Sequence, residues 1–236
     1  MLDIHQLSKN FGKLKALDAV SACLEKGQAI SLVGPNGSGK TTFIKCILGL
    51  VVPDSGRITL DGAEILHNWA YRSQIGYMPQ IGRYPDNMRV RQLFEMVREV
   101  RGNDQLVDDD LMRAFDVQQF ENKTMRTLSG GTRQKVSACL AFLFNPGILI
   151  LDEPTAGLDP VSAEILKEKV LAERKKGKLI LVTSHILSDL EEMTTDILYI
   201  IDGKIKLFQP IDSLKAETGE QKLNRAIAGI MKSHQV

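Results

Sequence analysis

Short apolar runs and helical-period stripes alternate along this chain. Ile30 to Val33 is a short, mostly apolar run that stops at Gly34, after which Phe43, Ile44, Ile47 and Leu48 recur at helical spacing. That pattern predicts a strand, a glycine loop and a helix. Ile148 to Leu151 and Leu179 to Val182 are two more short runs, these continuously apolar, as expected of strands covered on both faces in a parallel sheet. Between them, Val161 to Lys176 reads as a helix stopped by Gly177. Strands and helices in this order imply a doubly wound α/β core.

The stretch from about Asp86 to Asn145 has a different texture. Val90, Leu93, Phe94, Val97 and Val100 make one apolar stripe, with Asn87 as its predicted cap and Gly102 as its stop. Leu111, Met112 and Phe115 predict a second helix, and Val136, Cys139, Leu140 and Leu143 a third. The expectation is a helical lobe inserted into the core. The first 30 residues and Gly56 to Tyr77 carry strand-like runs, with Arg57 to Leu60 leading into Asp61-Gly62, consistent with an antiparallel layer. Asp202-Gly203, between Leu198 to Ile201 and Lys204 to Phe208, predicts a hairpin. In the tail, Leu223, Ile227 and Ile230 fall on one potential helix face.

Composition narrows the function classes. The 236 residues suit one large domain, and 30 basic against 29 acidic residues leave a net charge of +1. No bulk charge bias points to nucleic acid, and none is expected as a partner. Asp3 and His5 sit where a secretory signal needs an apolar core, and the longest apolar candidate, Val136 to Leu151, is broken by Asn145-Pro146-Gly147. A soluble polypeptide is expected. Cys23, Cys46 and Cys139 have no CxxC or Cys/His pattern and read as small reduced core residues. His5, His67 and His234 show no ligand spacing, and Trp69 and the eight Met residues read as packing or surface.

The chemistry begins at Gly34-Pro35-Asn36-Gly37-Ser38-Gly39-Lys40-Thr41, which matches GxxxxGK[ST] between a predicted strand and helix. Glycines there let backbone N–H groups converge on phosphate oxygens, and the helix N-terminus adds partial positive charge. Lys40 would reach the β- and γ-phosphates, and the Thr41 hydroxyl would ligate Mg²⁺. An ordinary glycine-rich turn is the alternative, and the strand and helix on either side argue against it. Asp152 emerges at the C-terminal end of an apolar strand, where ligands collect in open parallel sheets, and would hold Mg²⁺ directly or through water. Glu153 is the candidate to orient and deprotonate an attacking water, a role worth roughly 10²–10⁴-fold in rate. An acidic pair after a strand can also be a plain helix cap.

Leu128-Ser129-Gly130-Gly131 alone reads as a helix start capped by Ser129. Placed shortly before Ile148 to Pro160, it makes the chain resemble the ATP-binding-cassette (ABC) ATPases over nearly its whole length. The resemblance implies an α/β fold with a P-loop NTPase (RecA-like) core, an antiparallel β layer and an inserted α-helical subdomain. It divides residues 1–236 into a core of about 1–85 and 146–210, a helical subdomain of about 86–145 and a tail, 211–236. It implies ATP and Mg²⁺ as ligands and a homodimer in which Ser129, Gly130 and Gly131 act in trans on the partner's γ-phosphate. It assigns nucleotide contacts to Phe11, which would stack on adenine, and to Gly34 through Thr42. It gives Gln80 a role at Mg²⁺ and the water, His185 one at the γ-phosphate, and Asp159 one at the dimer seam.

Two positions depart from the family pattern. Thr132 stands where glutamine is usual, which puts in doubt any contact that glutamine makes with the nucleotide sugar or the partner. Phe11 replaces the commoner tyrosine and keeps the ring face that stacking needs. Because the chain has one P-loop and one LSGG, the family arrangement requires two chains, and their motion must pass to separate transmembrane permease subunits near Gln80 to Tyr84. That places the protein in the cytoplasm, peripheral on the membrane through its partners. The phrasing from Gly76 to Pro85 is similar to exporter-type bacterial cassettes. Met88 to Gly102 and Met125 to Phe144 are similar to those of nitrous-oxide-reductase maturation. A soluble, non-transport cassette of the iron–sulfur assembly type is the second reading. A P-loop kinase or GTPase leaves LSGG, Gln80 and His185 without a role.

Overall fold

The computed structural model describes residues 1–102 and 106–233, with side chains through 229; His234 and the side chain of Ile230 lie outside the described residues. Two compact units are present, Met1–Arg72 together with the chain from Leu181 onward, and Ser73–Ile180.

The first unit opens with β1 (Leu2–Phe11) and β2 (Leu14–Leu24), then β3 (Ala29–Val33), α1 (Lys40–Ile47), β4 (Ser55–Leu60) and β5 (Ala63–Glu64). β1, β2, β4 and β5 form an antiparallel sheet in the order β2-β1-β4-β5, with Phe11 opposite Leu14 and Leu60 opposite Ala63. Alternation explains its two faces: Leu2, Ile4, Val20 and Leu24 are buried while their neighbours are not. Cys23 falls on the outward side of β2 and is exposed. The expectation of three core cysteines therefore holds for Cys46 and Cys139 alone.

All five residues of β3 are buried, and Phe43, Ile44 and Ile47 of α1 are buried too. Burying each of the Ile, Leu, Val and Phe side chains among them contributes roughly 1.5–3 kcal/mol.

The second unit holds β6 (Ile75–Met78), α2 (Val90–Arg101), α3 (Asp110–Ala114), α4 (Gly130–Phe142), β7 (Ile148–Asp152) and α5 (Pro160–Lys175). β6 and β7 pair in parallel, Met78 opposite Leu151, the arrangement expected of continuous apolar runs. α5 starts as helices prefer, with Asp159 as N-cap and proline in the first turn.

The start of α2 corrects the sequence reading. Its cap is Arg89, not Asn87, because the Val90 and Arg91 N–H groups donate to the carbonyls of Lys123 (3.1 Å) and Glu121 (2.9 Å). A neighbouring segment satisfies the donors that a capping side chain would otherwise take. Val100 is also displaced from the predicted stripe, at 82% exposed, while Val90, Leu93 and Phe94 are buried.

A charged cluster in this unit is built on a buried carboxylate. Glu173 is fully buried and ion-paired with Lys169, Lys176 and Lys178, and Lys169 also meets Asp108 (2.6 Å) and Asp110 (2.9 Å). It ties α5 to the start of α3.

β8 (Leu179–Thr183) runs across the division between units, and α6 (Leu187–Met193), β9 (Asp196–Ile201), β10 (Lys204–Pro210), α7 (Ile211–Thr218) and α8 (Leu223–Ser233) complete the first unit. β9 pairs in parallel with β3 and antiparallel with β10, through the predicted Asp202-Gly203 turn, so this sheet is mixed. Leu223 and Ile227 of α8 are buried. Glu191 of α6 receives both Lys215 and the Leu223 N–H, which pins the tail helices to α6. Among the described residues no helix is long and apolar enough to cross a membrane.

Candidate functional site

In the first unit the glycine loop lies between β3 and α1, as its motif requires. A Cβ on Gly39 would sit 2.4 Å from the Ala16 carbonyl oxygen, and its φ of 108° is one that side-chain-bearing residues rarely adopt. The loop is fixed from below by the Gly203 N–H, which donates to the Ser38 carbonyl at 3.0 Å, and from within by the Ser38 N–H to the Pro35 carbonyl at 3.1 Å. Lys40 Nζ folds back over the loop, donating to the carbonyls of Gly34 (2.7 Å) and Pro35 (3.0 Å). Ser38 Oγ is buried without a hydrogen-bond partner. Burial without a partner costs free energy, so this hydroxyl needs an acceptor or donor from a ligand or water. Thr41 and Thr42 follow at the start of α1, where N–H groups face outward along the helix axis.

Phe11 ends β1 and is 50% exposed, offering a ring face, with Lys9 Nζ 5.6 Å from the ring centroid. Asp54 organises this corner. Its carboxylate accepts from Lys9 Nζ (2.8 Å), the Asn10 N–H (2.7 Å) and Asn10 Nδ2 (3.0 Å). The lysine contact foremost, with those from Asn10, holds the Asp54 carboxyl below the usual range. His185 lies beyond β8, exposed, in a turn where the Ile186 N–H donates to Ser184 Oγ at 2.9 Å.

In the second unit Gln80 follows β6 and is exposed. Asp152 ends β7, half-buried, and Glu153 comes next with φ of 52°, outside the range strands and helices use. Burial first, then the Asp152 carboxylate, pushes the nearby Tyr77 hydroxyl up. Ser129 caps α4: its Oγ accepts the Thr132 N–H at 3.1 Å and shares a 2.8 Å hydrogen bond with Thr132 Oγ1. The shorter side chain at position 132 thus meets the serine hydroxyl directly.

Three residues of α4 meet the loop after Glu153. A Cβ on Gly131 would lie 2.5 Å from the Gly157 carbonyl oxygen. Gln134 Nε2 donates to the Glu153 carbonyl at 3.2 Å, and Lys135 pairs with Asp159 at 3.0 Å. A Cβ on Gly130, by contrast, would find nothing within 4 Å. The Asp159 carboxylate is occupied inside its own chain, by Ser162 Oγ (2.7 Å), the Ser162 N–H (3.0 Å) and Lys135. These contacts hold its carboxyl well below the usual range, the Ser162 hydroxyl contributing most.

The structure therefore gathers Ser129, Gly130, Gly131, Glu153 and Asp159 around one helix start and one loop. Sequence reasoning missed Gln134, Lys135 and Asp54. The spacing of Gly131, Gln134 and Lys135 at i, i+3 and i+4 is the signal that they share a helix face.

The oxygen donors of Thr41, Gln80 and Asp152 suit Mg²⁺, which takes few protein ligands and keeps waters and phosphate oxygens. Among the described residues no three His, Cys, Asp or Glu side chains gather as a self-contained metal site.

Comparison with known proteins agrees with this geometry. The sequence model of the ABC transporter family matches residues 17–156. The ABC transporter ATP-binding protein YhaQ of Bacillus subtilis (strain 168), itself uncharacterized, is 34% identical over 94% of this chain and 76% of that protein. The solved ATP-binding subunit of an ABC transporter superposes with a TM-score of 0.89 at 27% identity, over 98% of this chain and 99% of that one. The dimeric structure of a bacterial ABC transporter cassette shares the fold, with a TM-score of 0.79 at 22% identity over 89% and 98% of the two chains.

A P-loop cassette with a mixed sheet and a helical subdomain is the class these features define. The chain belongs to the ABC transporter family. It is an ATP-binding, ATP-hydrolysing subunit coupled to transport through partner transmembrane subunits, in a family whose cassettes depend on ATP and Mg²⁺.

Proposed function

We propose that two copies of this chain close head to tail on two ATP molecules, each copy finishing the other's site. Phe11 stacks on adenine, and the backbone from Gly34 to Thr42 cradles the phosphates. Lys40 neutralises the β- and γ-phosphates, and His185 meets the γ-phosphate. Glu153 takes the proton of the attacking water, which Gln80 helps to orient. Ser129, Gly130 and Gly131 of one copy reach the γ-phosphate held by the other, with Asp159 at the seam. Thr41, Gln80 and Asp152 would hold Mg²⁺, which when bound screens the phosphate charge that builds in phosphoryl transfer.

The observation that carries the reading is at the start of α4. Ser129 and Gly130 are exposed, and among the described residues nothing beyond its chain neighbours and its own helix backbone lies within 4 Å of a Cβ at Gly130, while Gly131 one residue on is packed tight. A helix N-terminus presented this way is suited to an anion brought by another molecule. The Asp159 carboxylate is committed to capping α5, so its part at the seam is to fix the loop that crosses it.

Loss of the γ-phosphate removes contacts only the closed dimer makes and shifts the population toward open. The helical subdomain, about 86–145, lies within the second unit and is the part that, with the surface near Gln80 to Tyr84, would carry the motion to permease subunits. On this reading the chain sits on the cytoplasmic face of the membrane through those partners and is exporter-like. The likeness to nitrous-oxide-reductase maturation cassettes supplies one cargo class to test. The iron–sulfur assembly alternative predicts recovery with soluble scaffold proteins and no polytopic partner.

The test is Glu153→Gln. It should bind ATP, hydrolyse it roughly 10²–10⁴-fold more slowly and accumulate closed dimers on a sizing column. Unchanged turnover removes Glu153 from its role.

A further inference from the structure

We propose that Gln134 is a positioning residue for Glu153, holding the Glu153 backbone so that its carboxylate faces the reacting water; this rests on the reading of Glu153 as the base. Gln134 is 6% exposed on the face of α4 turned toward the loop, where an apolar side chain would bury more area without needing a partner. Its amide finds that partner in the Glu153 carbonyl, at 3.2 Å. A carbonyl only accepts, so the NH₂ end of the amide must face it.

The carbonyl belongs to a residue with a φ of 52°, a region that non-glycine residues hold only when their surroundings over-determine it. The Ala156 N–H donates to the same oxygen, also at 3.2 Å, and closes a turn within the loop that moves with it. Gln134 instead ties the turn to a separate element. Gly131 against Gly157 and Lys135 against Asp159 flank this contact on the same helix face, so α4 grips the loop at its beginning, middle and end.

The start of this helix is also the part proposed to reach the partner's nucleotide. Gln134 thus links a helix engaged at one ATP site to the base serving the other. With its amide removed, the loop keeps its local turn and its contacts at Gly157 and Asp159 but loses the tie to α4 at Glu153 itself. A misplacement of about 1 Å at a catalytic group costs on the order of 10²-fold in rate.

The experiment compares Gln134→Met, similar in volume but without a donor, with the unaltered chain, each alone and in the Glu153→Gln background. In the otherwise unaltered protein kcat should fall about 10- to 100-fold, while ATP affinity by direct titration stays within about twofold. In the Glu153→Gln background Gln134→Met should change residual turnover by less than about twofold, because its effect passes through Glu153. Gln134→Asn keeps an amide but is one methylene too short to reach. It should reproduce the loss, and it stands in if the methionine variant does not fold.

Unchanged kcat in Gln134→Met, or a loss of the same size in both backgrounds, overturns the proposal. So does failure of both variants to fold, which would make Gln134 a purely structural residue. If instead Glu153→Gln leaves turnover intact, the reading of Glu153 as base is what has failed.

Discussion

Replacing Gly131 and Gly130 one at a time with alanine separates packing inside the chain from contact outside it. At Gly131 the added methyl starts 2.5 Å from the Gly157 carbonyl oxygen, whereas carbon–oxygen contacts run at about 3.3–3.6 Å, so about 0.8–1.1 Å must be made up by movement. The atom in the way is backbone of the loop from Glu153 to Asp159, which cannot rotate aside as a side chain would. Overpacking of this kind costs about 1–3 kcal/mol, part of it offset by the better helix propensity of alanine, about 1 kcal/mol. The expected result is a modest loss of stability, up to about 2 kcal/mol, with a fall in ATP turnover of about 10²-fold from displacement of the Glu153 loop. At Gly130 there is nothing within 4 Å, and the same propensity gain leaves the fold as stable or up to about 1 kcal/mol more so.

Yet Gly130→Ala puts a methyl where the partner's phosphate is proposed to lie, and turnover should fall at least about tenfold, about 1.4 kcal/mol of transition-state stabilisation. Urea unfolding supplies the stabilities and phosphate release the rates. A Gly130 variant destabilised as much as the Gly131 variant, or one with full activity, would refute the reasoning.

Two further outcomes follow from the same structure. Thr132→Val keeps the shape but removes the hydroxyl 2.8 Å from Ser129 Oγ, and should lower ATP turnover about 3- to 10-fold, with Thr132→Ser restoring it; wild-type turnover in the valine variant would show the contact to be idle. At Glu173 burial raises the carboxyl, but hydrogen bonds from Lys176, Lys178 and Lys169 outweigh it and bring the pKa from 4.5 down to about 2. A depressed pKa means a contribution fully present above about pH 4.5 that is lost as pH falls toward 2. Glu173→Gln should flatten stability over that acid window and cost about 3–5 kcal/mol at neutral pH by chemical denaturation, and a variant unfolding at the wild-type urea concentration would contradict it.

Much of the fold is legible in local sequence because its determinants are local. Ile30 to Val33 and Ile148 to Leu151 are legible as buried strands because each is a short, largely apolar run, too short for a helix, that stops at a glycine or an acidic pair. Asp202-Gly203 specifies its hairpin by turn chemistry alone. What misleads is tertiary. Asn87 looks like a cap, but carbonyls from Glu121 and Lys123 do that work across 30 or more residues of sequence. Cys23 looks like core, but strand register turns it outward.

At the site, residue types announce phosphate chemistry at Gly34 to Thr41, while Gln134 and Asp54 act through backbone carbonyls and neighbouring side chains that no motif records. The Glu173 cluster is likewise assembled from lysines and aspartates scattered between Asp108 and Lys178. Its spacing has no local signature beyond the Lys169–Glu173 and Glu173–Lys176 pairs.

The central claim is that one chain holds only half of each hydrolytic site. ATPase activity per mole of chain, measured against protein concentration at saturating ATP with sedimentation run in parallel, tests it most directly. The account predicts that specific activity falls on dilution in step with the fraction of dimer. Undiminished specific activity at a concentration where only monomers sediment would contradict it.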